Sequence, residues 1–86
     1  MYTDNLSKFP NRTKLIEDLQ NKTLILEAVC LLNINSFKEV NDFFGHNVGD
    51  SILIDVAQLI NKKIKKYSHL KLFKFPSDNY CVISTL

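Results

Sequence analysis

The chain has 86 residues, 45% apolar and 23% charged, which is one small globular domain at most and excludes disordered and fibrous classes. Eleven Lys and Arg against nine Asp and Glu leave a net charge of +2, too weak to mark nucleic acid or an anionic membrane as a partner. The longest apolar run is Ala28 to Leu32, far short of the roughly 20 residues of a membrane span.

Met1 to Asn11 is polar, carries Asp4 and lacks a signal-peptide stretch. Asn11 to Leu19 reads as a short helix: Leu15, Ile16 and Leu19 form a stripe, and Pro10 closes the segment before it. Thr23 to Leu32 is apolar apart from Glu27 at its centre, which predicts a strand buried on both faces. Cys30 and Cys81 sit in apolar runs. This predicts two buried free thiols suited to a reducing cytoplasm, and no further His or Cys stands at ligand spacing.

Ser36 to Phe44 reads as a second helix, with Ser36 and Glu39 spaced as a capping box and Phe37, Val40 and Phe44 on one face. Gly45 ends it. His46 to Lys66 reads as the longest helix, with Val48, Ile52, Val56, Ile60 and Ile64 in an i, i+4 row. Its last turns carry Lys62, Lys63, Lys65 and Lys66, which complement the helix dipole. Leu70 to Phe75 and Tyr80 to Thr85 flank the turn residues Pro76 to Asn79 and predict a β-hairpin. The order helix, strand, helix, helix, strand, strand is an α+β pattern. The chain ends at Leu86, just past the apolar run Tyr80 to Ile83, which reads as part of a longer protein.

The segment Asn33 to Asp50 gathers polar groups where the apolar strand ends, and sheets of this type bind ligands beyond the carboxyl ends of their strands. Ser36 opens a helix, whose N-terminus accepts phosphate, and Lys38 adds a point charge. The same residues also read as a loop, a cap and a solvated face. His46 fits packing or capping better than catalysis, and no partner is spaced for a nucleophilic triad. Asp50 reads equally as a residue favoured by the helix dipole, and Asp78 as a turn former.

Three blocks in this order resemble the first half of the GGDEF, or diguanylate cyclase, domain. Asp4 to Arg12 resembles D-x-L-T-G-L-P-N-R, Asn33 to Asp42 resembles D-I-D-x-F-K-x-I-N-D, and Phe44 to Asp50 resembles Y-G-H-x-x-G-D. Phe75 to Tyr80 falls at the signature, so Pro76-Ser77-Asp78-Asn79-Tyr80 stands in place of GGDEF. The resemblance spans nearly the whole chain. It implies a ferredoxin-like sheet with helices of the nucleotide cyclase type, present as the domain's N-terminal half, residues 1–86, with the remainder expected downstream of Leu86. It also implies condensation of two GTP into cyclic di-GMP across a two-fold pair, with metal ions activating the 3′-hydroxyl.

On that pattern Asn41 and Asp50 match the guanine-reading pair. Asn35, Ser36, Phe37 and Lys38 match the phosphate contacts. The metal positions are Asn33 and Asp78, weakened because an amide replaces the first carboxylate and Asn79 the signature acid. Pro76 and Ser77 replace the two glycines, and Tyr67 to Leu70 lacks the product-inhibition motif. The resemblance therefore implies a catalytically lost, cytoplasmic, bacterial GGDEF domain in cyclic di-GMP signalling, serving as a regulatory, GTP-binding or dimerisation module. An active cyclase and a purely structural interaction domain are the alternatives. Mg²⁺ is implied only with bound GTP, and the implied partners are a second copy or an adjacent domain such as an EAL phosphodiesterase. No nucleic acid or membrane contact is implied for this segment.

Overall fold

The computed structural model describes all 86 residues. Helix α1 spans Arg12–Gln20, strand β1 Leu26–Asn33, helix α2 Phe37–Phe44, helix α3 His46–Ile64, strand β2 Leu70–Lys74 and strand β3 Asn79–Thr85. The three strands form one antiparallel sheet in the order β1-β3-β2. The α+β pattern and the hairpin stand as the sequence predicts.

Side chains alternate across a strand, so the hairpin feeds two cores. On one face Leu72 and Tyr80 meet Phe37 of α2 and Leu53 and Ala57 of α3. On the other, Phe73, Cys81 and Ile83 meet Leu15 of α1. Asn11 starts α1 by accepting from Lys14 N–H at 3.0 Å through its side-chain oxygen, a cap that satisfies a free helix-end donor. The segment before it folds back: Thr3 bridges Pro10, and Lys74 N–H donates to Pro10 C=O at 2.8 Å.

Several expectations need correction. Thr23 to Leu32 is not buried on both faces: β1 begins at Leu26 and every one of its residues is exposed, Leu31 to 68%. The cause is position. β1 is one of the two edge strands, and α1 and α3 pack over the other, β2. Cys30 lies on that edge and is exposed, so only Cys81 is a buried thiol.

The capping box at Ser36 does not form. Ser36 is left-handed, at φ 60°, and makes no side-chain cap bond. Phe44 is exposed rather than on the core face, because α2 ends there and Gly45, at φ 87°, turns the chain into α3. Helix α3 stops at Ile64, before Lys65 and Lys66. Its buried row is Gly49, Leu53 and Ala57, with Ile52, Val56, Ile60 and Ile64 beside it, while Val48 in the first turn stays exposed.

Candidate functional site

β1 delivers Asn33 to the end of the sheet, directly opposite Asn79, the first residue of β3. The Asn33 amide nitrogen donates to Asp78 Oδ2 at 3.0 Å and to Asn79 Oδ1 at 2.9 Å. Asn79 Nδ2 donates to Pro76 C=O at 3.1 Å, and Ser77 Oγ donates to Asp78 Oδ1 at 3.0 Å. The turn Pro76 to Asn79 is thus tied to β1 by side chains. Ser77 holds φ 63°, the left-handed region that glycine enters without strain.

A residue the sequence reading passed over holds this turn from below. Lys74 is only 3% exposed. Its ammonium donates to Phe75 C=O and to Ser77 C=O, the latter at 2.6 Å. It also sits 5.1 Å from the ring centroid of Tyr80, its cross-strand partner. Burial lowers the Lys74 pKa, with Asp4 and Asp78 pulling the other way. The available signal was parity: Lys74 shares the inward face with Leu72, where a cation needs partners. Tyr80 donates its hydroxyl to Leu53 C=O at 2.7 Å inside the core, and burial pushes its pKa up to about 12, with Asp4 and Asp78 adding to the rise.

The second group lies along α2 and the start of α3. Asn35 and Ser36 form the exposed turn after β1. Phe37 puts its ring in the core, so only its backbone is free to meet a ligand. Lys38 projects into solvent and pairs with Asp42 at 3.1 Å, one helical turn on. Asn41 packs against Gly49, with its Oδ1 buried and without a hydrogen-bond partner. Asp50, the next residue after Gly49, is exposed, as is His46 at the start of α3. The two groups share a floor, since Phe37 and Tyr80 belong to one core cluster. A surface cleft of about 350 Å³ runs along the outer side of the turn, between Asp4, Arg12, Lys74 and Pro76.

The donor set decides what the sheet end can hold. A divalent hard cation takes carboxylate and carbonyl oxygens. Here one carboxylate, Asp78, already accepts on both oxygens, and Asn33 presents N–H groups toward it. No three His, Cys, Asp or Glu side chains converge anywhere in the fold. These residues do not fit a carboxylate-bound Mg²⁺ site.

The frame of the site is thus an antiparallel sheet with helices on both faces and a polar turn beside the loop between β1 and α2. The family described as "Diguanylate cyclase, GGDEF domain" matches residues 1–85. The probable diguanylate cyclase DgcI of Escherichia coli K12 is 32% identical over 84 residues, covering 98% of this chain and 19% of DgcI. A diguanylate cyclase/phosphodiesterase of Caldicellulosiruptor saccharolyticus superposes with a TM-score of 0.82 at 22% identity, covering 99% of this chain and 53% of the other. The GGDEF domain and coiled coil of DgcB from Caulobacter crescentus, solved with c-di-GMP, gives 0.80 at 22% identity over 98% of this chain and 46% of the other. The chain belongs to the GGDEF family. It spans less than a fifth of DgcI and about half of each solved chain.

Proposed function

We propose that this chain is the N-terminal half of a degenerate GGDEF domain in cyclic di-GMP signalling, without cyclase activity and acting as a regulatory, GTP-binding or dimerisation module. The observation that carries this reading is the Asn33 amide. It aims two N–H donors at Asp78 and Asn79, where a metal-assisted condensation needs oxygen ligands and negative charge. Pro76 and Ser77 support it, since a ring and a side chain stand where glycine lets backbone approach a nucleotide.

GTP is the proposed ligand of the surviving side. Asn41 and Asp50 read guanine, Asn35 to Lys38 meet the phosphates, and Mg²⁺ arrives on the triphosphate. The proposed setting is a bacterial cytoplasm. The proposed partners are a second copy or an adjoining domain such as an EAL phosphodiesterase, in line with the diguanylate cyclase/phosphodiesterase among its structural neighbours. A structural interaction domain without ligand is the second reading, favoured by the exposed apolar strand β1.

Incubation of the protein with GTP and Mg²⁺ or Mn²⁺, followed by chromatography for cyclic di-GMP, tests the proposal. No product is expected from the wild type or from Asn33→Asp, which leaves Pro76 and Asn79 in place. Turnover that scales with protein concentration overturns it.

A further inference from the structure

We propose that Asn33, Ser77, Asp78 and Asn79 form a hydrogen-bonded staple that closes this end of the sheet without a divalent cation, and that the amide at position 33 makes it so. The inference deepens the functional reading above and rests on it for the comparison with a metal-bearing signature.

The network has one direction throughout. Asn33 Nδ2 gives one N–H to Asp78 and the other to Asn79 Oδ1, and Asn79 Nδ2 passes a third bond to Pro76 C=O. Ser77 Oγ fills the remaining oxygen of Asp78. Both Asp78 oxygens and Asn79 Oδ1 each meet a donor, and the cluster carries a single negative charge. Beneath it the last backbone rung, Ile34 N–H to Asp78 C=O, is long at 3.3 Å. The side-chain bonds therefore do much to hold the turn against β1.

Among side chains of this size only the primary amide completes this pattern, since one nitrogen must donate twice. A carboxylate of the same shape donates nothing. It faces Asp78 and Asn79 Oδ1 at about the same 3 Å with lone pairs on both sides. The like charges then repel, and a divalent cation between them is the natural relief. Asn33→Asp converts a cation-independent turn into one that needs a cation.

Thermal unfolding of the intact chain, in chelator and in millimolar Mn²⁺ or Mg²⁺, tests this. The wild type should melt at the same temperature in all three. Asn33→Asp should melt lower in chelator by about 4–8 °C, the span of a modest stability loss in a domain of this size, and recover most of that with Mn²⁺. Asn33→Ala should melt lower in every condition and recover nothing, which separates loss of the donors from gain of a charge. A wild type stabilised by either cation, or an Asn33→Asp as stable as wild type in chelator, overturns the staple. Cyclic di-GMP production by the wild type overturns the functional reading instead, and each result is read independently of the other.

Discussion

Asn41 and Gly49 compete for one volume: a Cβ on Gly49 would stand 1.8 Å from Asn41 Oδ1. Helix α2 meets helix α3 here, with Phe37 Cζ only 3.3 Å from the same point. The glycine serves close approach rather than a special dihedral, unlike Gly45, which has open space around it but sits at φ 87°. Its bareness seats Asn41, one of the two residues proposed to read guanine; Asp50, the other, follows Gly49 in the chain.

This contact predicts a sign reversal. Gly49→Ala alone should destabilise by about 1–2 kcal/mol, because overpacking outweighs the gain in helix propensity. In an Asn41→Ala background only Phe37 Cζ, at 3.3 Å, still presses on the new methyl, and once that ring yields by a few tenths of an ångström the same Gly49→Ala should stabilise by about 0.5–1 kcal/mol. Urea unfolding of the four proteins in the cycle measures it. Equal effects of Gly49→Ala in both backgrounds would show that the two residues do not share the space.

Nucleotide preference follows from the proposed guanine side. A carboxylate at Asp50 accepts from guanine N1–H and its amino group, which adenine does not offer in that arrangement. Binding should therefore favour GTP over ATP. Asp50→Ala should weaken GTP by roughly 1.5–3 kcal/mol, about ten- to a hundredfold, and leave ATP unchanged. Calorimetry on both proteins decides. Equal affinity for GTP and ATP would remove the guanine reading while leaving the fold untouched.

The Tyr80 hydroxyl carries a pH prediction. Its folded pKa of about 12 lies above the ordinary 10.0, so the native state keeps a proton that the unfolded chain gives up. Its stabilisation is complete below pH 10 and is lost as pH rises toward 12. Lys74 works oppositely: its lowered pKa makes stability rise with pH until the unfolded lysine also loses its proton. Comparing wild type with Tyr80→Phe separates them. The variant should lose about 1 kcal/mol at neutral pH with the Leu53 hydrogen bond, and should lose less further stability than wild type between pH 10 and 12. Absorbance titration should show the phenol that ionises at the highest pH missing from Tyr80→Phe.

Periodicity carries the fold well where a helix or hairpin has one dry face. The spacing of Leu53 and Ala57 with Ile52, Val56, Ile60 and Ile64 marks α3 within two residues of its end. The turn residues Pro76 to Asn79 place the hairpin. Composition misleads at β1, because Leu26 to Leu32 is apolar apart from Glu27 yet its burial depends on what neighbours it in space, and in this structure β3 is the one strand paired with it. Ser36 misleads for a local reason: capping chemistry presumes extended backbone, and a left-handed residue turns its hydroxyl away. The residue types at position 33 and in the turn Pro76 to Asn79 are legible, but not their joining. That Asn33, 45 residues before Asp78, supplies the donors follows only from the register of β1 against β3.

The two cysteines give the sharpest check on that register. Cys30 and Val82 are partners across β1 and β3, and Cys81 is the next residue along, yet their fates differ. Cys30 is exposed at the sheet edge, whereas Cys81 is 1% exposed between the sheet and α1. Burial also pushes the Cys81 thiol pKa up, so less thiolate is present at any working pH. A disulfide reagent at pH 8 should therefore consume one thiol per chain quickly, at the rate of an open peptide. The second should react only as the protein unfolds, at a rate that rises with urea. Cys30→Ser should abolish the fast phase, and Cys81→Ala the slow one, with a stability loss of about 1 kcal/mol from the small cavity. Two fast thiols would mean that α1 does not close over β3. Two slow ones would mean that β1 is covered in solution.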